Sequence, residues 1–323
     1  MKTLTTLLVT FIFSIITSNV WSASIYPGDI FISVAAPGNG AVYKINETGA
    51  VSTFATGLAD PVGLSFSPDG QLYVVERASG EVTNISTGGD FSSASAYSWG
   101  FSSNELRNLL IDSSGRMLVA NRQAGTVVDI TGGGNQLSAP IFASGLSGTR
   151  DIFQTSTGSI YAVEEYSGEV TDITAGGNLV DAIPFAGGFS IPYALAESPS
   201  GYLYLAEALS GNVYDITLGG FGASIFASSL GIVDEIIFAN DGTFLAVQEY
   251  LSTIVDISGG GASPFDIVAS GLGQYPQQIA IAPSPVPEPG TIWLMLSCLL
   301  PMCLRSAFRL PKNLARHTAV SPD

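Results

Sequence analysis

The chain has 323 residues, with 27 acidic and 11 basic side chains and a formal net charge of −16 at pH 7. A surface this acidic repels phosphate backbones, which excludes nucleic acid as a partner. Cys298, Cys303 and His317 are the only cysteines and histidine, so the chain before residue 298 lacks thiol nucleophiles, disulfides, histidine bases and histidine metal ligands.

The first residues have the organisation of a secretory signal. Lys2 precedes the apolar run Leu7–Ile16, and a polar stretch then ends at Ser22. An apolar run this short cannot span a bilayer, whereas it suits the central region of a signal peptide. We predict a cleaved signal peptide over residues 1–22, with the alternative of a membrane anchor.

The body of the chain repeats one pattern six times. Each copy has a turn glycine, an alternating apolar run, a polar tip and a second run that usually ends in V-x-D-I. Successive turn glycines are 42, 45, 43, 43 and 41 residues apart. They are Gly28, Gly70, Gly115, Gly158, Gly201 and Gly242. Short strands repeating at this period indicate a β-propeller.

The two ends of the repeat array are complementary. The copy at Gly28 lacks a preceding inner strand, and Gln277–Pro283 looks like an inner strand with no blade after it. Together these fragments complete one blade, which removes the open sheet ends. We predict an all-β, six-bladed propeller over residues 23–285, closed by N- and C-terminal strands in one blade, and a monomer.

Polar residues stand where each second strand ends, six and seven positions after the turn glycine. They are Glu76, Arg77, Asn121, Arg122, Glu164, Glu165, Glu207, Gln248 and Glu249. We predict that they surround one channel mouth and bind a ligand there. Like charges gathered in one mouth disfavour one another's ionised form. We therefore predict that changing both Glu164 and Glu207 to Gln weakens ligand binding and leaves folding intact. Arg77, Arg107, Arg122 and Arg150 stand near many acids, so an ion-pair network is the alternative.

Residues 24–285 resemble the six-bladed family that includes NHL repeats and gluconolactonase-like (SMP-30) proteins, through phrases such as the one spanning Asp60–Val75. The resemblance implies a divalent metal at the mouth, held by carboxylate and amide oxygens, and such ligands suit Ca²⁺. Asn108, Asp151 and Asp234 are the candidate ligands. Asp234 is also the candidate catalytic residue if the protein is a lactonase.

The C-terminal residues 286–323 resemble the PEP-CTERM sorting signal. Pro287, Glu288 and Pro289 match its motif, and an apolar segment over 292–304 and four dispersed cations follow. The resemblance implies an exosortase as partner, transient anchorage in the inner membrane, and a final location at the cell surface, in the periplasm or outside the cell. A plain C-terminal anchor is the alternative.

Two functions from different classes follow. The first is an exported, non-catalytic propeller that binds a small molecule, an exopolysaccharide-matrix component or a partner at its mouth. The second is a calcium-dependent hydrolase of the gluconolactonase type. No cofactor other than calcium is indicated.

Overall fold

The computed structural model describes residues 24–36 and 39–283. The predicted signal peptide and the predicted sorting signal therefore lie outside the described residues. Within the described ranges the chain forms strands and turns, and none of these residues is helical. No helix capable of crossing a membrane occurs in this part of the chain.

The described strands are numbered in chain order. The innermost strands are β4 (Pro61–Phe66), β9 (Leu106–Ile111), β14 (Thr149–Gln154), β19 (Pro192–Glu197), β24 (Val233–Phe238) and β29 (Pro276–Ile281). The second strands are β1 (Ile30–Val34), β5 (Leu72–Glu76), β10 (Met117–Asn121), β15 (Ile160–Glu164), β20 (Leu203–Glu207) and β25 (Phe244–Gln248). The third strands are β2 (Gly40–Ile45), β6 (Glu81–Asn84), β11 (Thr126–Asp129), β16 (Glu169–Asp172), β21 (Asn212–Asp215) and β26 (Thr253–Asp256).

The outer strands are less regular and vary in length from two residues to eight. They are β3 (Val51–Leu58), β8 (Ser98–Trp99), β13 (Ile141–Ser144), β18 (Ala186–Gly187), β23 (Ser224–Ser228) and β28 (Asp266–Ser270). Five two-residue strands each begin at the last glycine of a run of two or three glycines, namely β7 (Gly89–Asp90), β12 (Gly134–Asn135), β17 (Gly177–Asn178), β22 (Gly220–Phe221) and β27 (Gly261–Ala262). Each of these five pairs in parallel with the outer strand of the preceding blade. Neighbouring blades are therefore joined by backbone hydrogen bonds at their outer edges.

The predicted closure of the propeller is confirmed. Strand β29 pairs antiparallel with β1, with Ile30 opposite Ile281 and Ile32 opposite Ile279. The N–H of Gly28 also donates to the carbonyl of Ala282 at 3.0 Å. The N- and C-terminal strands therefore share one sheet, and the described residues form six blades.

The core consists of apolar clusters between neighbouring blades. One cluster joins Ala194 and Val213 of one blade to Val233, Phe244 and Val255 of the next. The ring of Phe244 stacks on Phe238, with centroids 4.0 Å apart and planes 10° apart. Because each blade needs its neighbours to cover both faces, the blades form one folding unit.

An aspartate or asparagine at the end of five third strands has a structural role. The Asp129 side chain accepts hydrogen bonds from the N–H of Thr131 at 2.9 Å and from its hydroxyl at 2.6 Å. The hydroxyl oxygen of Thr131 in turn accepts from the N–H of Met117 at 3.0 Å. The same arrangement recurs at Asn84, Asp172, Asp215 and Asp256. These side chains fix the turn after each third strand and are not part of a binding site.

A β-bulge at the start of every inner strand shapes the channel. In each blade the register between the inner and second strands shifts, so the inner strand has one extra residue. In β14, for example, Thr149 faces Glu164 while Asp151 faces Val163, which leaves Arg150 as the extra residue. A bulge redirects a side chain that regular alternation would place on the other face. Arg150 and Asp151 therefore both line the channel.

Candidate functional site

One end of the central channel opens into a cavity of about 360 Å³, which we call the mouth. Its wall is formed by residues at the start of the inner strands and by residues that follow the second strands. The lining residues are Ala35, Asp60, Arg77, Arg107, Arg122, Arg150, Glu165, Tyr193, Asp234, Glu249, Tyr275 and Gln277. The volume lies in the range of small-molecule sites, and charged groups and aromatic rings together line the mouth.

Two of the mouth arginines are fixed by a neighbouring carboxylate. The Nε of Arg77 lies 2.6 Å from Oδ2 of Asp60. Arg122 makes a bidentate pair with Glu165 of the next blade, with both N···O distances at 2.6 Å. Such paired hydrogen bonds hold the guanidinium plane in one orientation.

A third arginine, Arg150, reaches a carboxylate across the channel. Its Nη2 donates to Oδ1 of Asp234, and its guanidinium lies 3.8 Å from the ring centroid of Tyr193. The other Asp234 oxygen accepts a hydrogen bond from Nε2 of Gln277 at 3.0 Å. The inner strands of several blades therefore meet in one buried polar network.

Glu249 extends this network. Burial above all, and then the nearby charge of Asp234 and a hydrogen bond to it, raise the pKa of its carboxyl group to about 7. Near neutral pH the Glu249 carboxyl is therefore partly protonated and can donate to the Asp234 carboxylate.

The fourth arginine, Arg107, has no carboxylate partner among the described residues. Its Nη1 donates to the backbone oxygen of Leu106 at 3.1 Å, and its buried Nε has no hydrogen-bond partner within that part of the chain. Burial above all, together with the charges of Arg150, Arg77 and Arg122, lowers the pKa of Arg107 to about 9. Arg107 thus remains an uncompensated cation in the mouth at neutral pH.

Below the mouth the channel narrows to a neck with a volume of about 30 Å³. Asn108, Asp151, Glu235 and Gln278, the second residue of each bulge pair, line the neck. Burial raises the pKa of Asp151 to about 6, and it raises that of Glu235 well above the usual range. Beyond the neck lies an apolar cavity of about 240 Å³ that includes Phe153 and Phe238.

The neck has the oxygen ligands that calcium prefers, but few charged ones. Oδ1 of Asn108 is buried and has no hydrogen-bond partner among the described residues, so it is available to a cation. Asp234, the third candidate ligand, is held by Arg150 and Gln277. The described residues contain no group of three acidic, histidine or cysteine side chains that could hold a metal ion. The donor chemistry therefore fits a calcium ion only in part.

The structure separates the nine predicted ligand-binding residues into two sets. Arg77, Arg122, Glu165 and Glu249 line the mouth. The other five are the last residues of their second strands, namely Glu76, Asn121, Glu164, Glu207 and Gln248.

This second set makes hydrogen bonds within the blades. Glu164 accepts from the N–H of Ser147 at 2.5 Å and from the hydroxyl of Thr171. The side chains of Glu76, Glu207 and Gln248 likewise bond to the loop that enters their own inner strand. Asn121 instead donates to Glu105 at 3.2 Å. These contacts position the loops that carry the mouth residues, and ligand binding by this set stays a prediction.

The ion-pair alternative describes three of the four arginines, because Arg77, Arg122 and Arg150 each pair with a carboxylate. Arg107 is the exception. Tyr275 is a mouth residue that sequence reasoning missed. Its φ of 59° lies in the left-handed region, which is rare for a bulky residue and common at functional sites. The following Pro276 begins an inner strand, as Pro61 does after Asp60, which also has a φ of 59°.

Fold and mouth together define a six-bladed β-propeller with a polar, arginine-bearing channel mouth. No protein-family profile and no curated protein matches the chain. A protein of unknown function from Bacteroides caccae is 14% identical, with a TM-score of 0.54 over 79% of this chain and 98% of that chain.

Two other solved structures are similar to this chain. A Thermus thermophilus protein assigned as a glucose dehydrogenase is 17% identical, with a TM-score of 0.53 over 67% of this chain and 86% of that chain. Regucalcin from Agrobacterium tumefaciens, a calcium-binding protein, is 15% identical, with a TM-score of 0.49 over 64% of this chain and 75% of that chain. At these identities the likeness establishes the propeller fold alone.

Proposed function

We propose that this protein is an exported, non-catalytic propeller that binds a ligand in the mouth. The observation that carries the proposal is the composition of the mouth wall. A cavity of about 360 Å³ gathers four arginines, and three of these are already fixed by carboxylates. Charged side chains held in one orientation before a ligand arrives favour binding, because little ordering remains to be done.

The chemistry of the mouth favours binding over catalysis. No cysteine or histidine occurs among residues 24–36 and 39–283. Asp234, the candidate catalytic residue, has both carboxylate oxygens engaged, by Arg150 and by Gln277. A carboxylate held in this way is poorly placed to attack a substrate or accept its proton, because a reaction would have to break the ion pair first.

The place of action follows from the two termini. A signal peptide over 1–22 and a sorting signal over 286–323 would direct the protein to an exosortase and then beyond the inner membrane. The acidic propeller would work there as a monomer, and a component of an exopolysaccharide matrix is the ligand type that this address suggests.

A binding screen against saccharides and small organic acids, read by thermal shift, tests the proposal. The change Tyr275→Ala removes an aromatic wall of the mouth. The apparent affinity of a mouth ligand, obtained from the thermal shift, should therefore fall about ten-fold. Tyr202→Ala is the matched control, because Tyr202 is a comparably exposed tyrosine beside β20 at the opposite end of the blade. Equal losses in both variants, or none in Tyr275→Ala, would refute a ligand site in the mouth.

A calcium-dependent hydrolase of the lactonase type is the second candidate. The observation that favours it is the unpartnered, buried Oδ1 of Asn108 beside Asp151 and Glu235 in the neck. Bound calcium would polarise a carbonyl group, and Asn108, Asp151 and Glu235 are the residues that would hold it. Hydrolysis of a lactone panel that is abolished by a chelator and by Asn108→Ala would establish this function. Lactone hydrolysis that persists in both cases would exclude it.

A further inference from the structure

The basic residues of the predicted propeller are concentrated at the mouth. Residues 23–285 contain 25 acids and 6 bases, once Lys2, the four tail cations, Glu288 and Asp323 are set aside. Four of these six bases, Arg77, Arg107, Arg122 and Arg150, line one cavity. Asp60, Glu165, Asp234 and Glu249 line the same cavity, so the arginine without a partner among these acids is the one available to an external anion.

Arg107 is the arginine left free for such an anion. Arg77, Arg122 and Arg150 each use a carboxylate of the mouth, and Arg107 has no such partner within the described ranges. An uncompensated cation that is partly withdrawn from water costs stability. An incoming carboxylate would supply the missing charge and could accept a charge-assisted hydrogen bond from the terminal nitrogens of the guanidinium.

Tyrosine rings stand beside these cations. Tyr193 lies beneath the guanidinium of Arg150, and Tyr275 lines the same cavity with 41% of its surface exposed. Tyr250, with 67% exposed, meets Tyr275 edge-on, with ring centroids 6.2 Å apart. Tyrosines supply a flat apolar face together with a hydroxyl group, which suits the C–H face and the hydroxyls of a sugar ring.

We propose that the mouth binds a saccharide that carries a carboxylate, with Arg107 pairing to the carboxylate and Tyr275 packing against the sugar ring. This inference rests on the proposed function, because it specifies the ligand class of the same mouth. A neutral saccharide would leave Arg107 unpaired, and an acidic peptide would have less use for the flat tyrosine faces.

Calorimetric titration of the purified protein with a galacturonate trisaccharide tests the inference. The methyl ester of the same trisaccharide keeps every ring and removes the charge. We expect the acid to bind at least ten-fold more tightly than the ester, because a charge-assisted hydrogen bond is lost in the ester. Arg107→Gln should reduce binding of the acid to the level of the ester and leave binding of the ester unchanged.

Arg116→Gln is the matched control. Arg116, unlike Arg107, pairs with an acid, Asp112, and it lies in the turn before β10 at the end of the blade opposite the mouth. This variant should bind the acid like the unaltered protein. Melting curves would verify that both variants are folded.

The remaining outcomes distinguish failure of this inference from failure of the proposed function. Equal binding of acid and ester, both weakened by Tyr275→Ala, would overturn the carboxylate inference and leave a ligand-binding mouth in place. Binding of neither saccharide would also overturn it, and the independent screen with Tyr275→Ala would then decide the proposed function. Loss of acid binding in Arg116→Gln as well would show that Arg107 has no special role.

Discussion

Arg150 and Asp234 form an ion pair between the inner strands of two blades that have a third blade between them. The intervening blade contributes Tyr193, whose ring lies 3.8 Å from the guanidinium. Only 14% of the Arg150 side chain and 2% of the Asp234 side chain are exposed. The pair therefore joins three blades at the mouth, and each buried charge is compensated by the other.

Removing one member of this pair should be strongly destabilising. Arg150→Met leaves the buried Asp234 carboxylate without its cation, and the expected loss is about 3–5 kcal/mol of unfolding free energy. The double change Arg150→Met with Asp234→Leu removes both charges and should cost less than the two single changes together. Urea unfolding of the three variants measures this coupling. Strictly additive losses would show that the pair does not join the blades.

Replacement of Arg107 should have the opposite effect on the free energy of unfolding. Its guanidinium has no carboxylate partner in the described part of the chain and lies near three other arginines. Arg107→Gln should therefore raise the unfolding free energy by about 1 kcal/mol, as removal of a strained functional group often does. Thermal melts of this variant and of Arg116→Gln give the comparison. A lower melting temperature for Arg107→Gln than for Arg116→Gln would mean that Arg107 is structural.

Glu249 should make stability depend on pH. The folded state keeps the Glu249 proton up to about pH 7, whereas the unfolded chain loses it near 4.5. Between these values the folded state binds more protons, so the contribution of Glu249 to stability falls as pH rises from about 4.5 to 7. Asp234 favours this protonated form, while Arg150 and Arg77 oppose it.

The variant Glu249→Gln has no titratable proton to lose and gains no charge as pH rises, so its melting temperature should decline less across this pH interval. Glu47→Gln is the control, because Glu47 is an exposed residue in the turn after β2, at the end of the blade opposite the mouth. A decline in Glu249→Gln as steep as in the unaltered protein would assign the pH dependence to another group.

The prediction from the sequence and the contacts in the structure disagree about the role of Glu164. The sequence predicts that changing Glu164 and Glu207 together to Gln leaves folding intact. The contacts of Glu164 with Ser147 and Thr171 lead us to expect that Glu164→Gln alone costs about 1–3 kcal/mol of unfolding free energy. The amide of glutamine has a single acceptor oxygen, so its NH2 group would have to donate to the Thr171 hydroxyl, and both contacts lose their charge assistance. Denaturant unfolding of this variant against Glu47→Gln, together with ligand titration, measures both effects. An unchanged unfolding free energy with weakened ligand binding would support the sequence prediction instead.

The repeat explains what the sequence could predict. Blade number and closure depend on the regular spacing of Gly28 to Gly242 and on the unpaired run at Gln277, both visible in one dimension. The direction of adjacent side chains is less visible. Glu76 and Arg77 are neighbours at one strand end, yet Glu76 bonds to Ala59 and Arg77 lines the mouth. Alternation alone does not say which of the two faces the channel.

The bulges are the second feature that the pattern of apolar residues hides. Each adds one residue to an inner strand, which brings Arg150 and Asp151 to the same channel. The signal that could have revealed the bulges is a pair of consecutive polar residues inside an otherwise apolar strand, such as Asp234 and Glu235. The short parallel strands at the glycine runs give no comparable signal, because two residues are too few to show a period.

The two ends of the chain give a prediction about processing. If the exported protein loses residues 1–22 and the sorting segment near Pro287, its intact mass should correspond to a chain that begins at Ala23 and ends close to residue 286. Mass spectrometry of protein recovered from the medium or the cell surface measures this directly. A mass that retains residues 292–304 would reject removal of the C-terminal segment.

The central claim is that the arginine-bearing mouth holds the ligand. A crystal structure of the protein grown with saturating galacturonate trisaccharide tests it most directly. We predict electron density for the sugar in the mouth, with its carboxylate within hydrogen-bond distance of the Arg107 guanidinium and a ring against Tyr275. A sugar bound instead in the apolar cavity near Phe153 and Phe238, or on the outer blade edges with an empty mouth, would contradict the account.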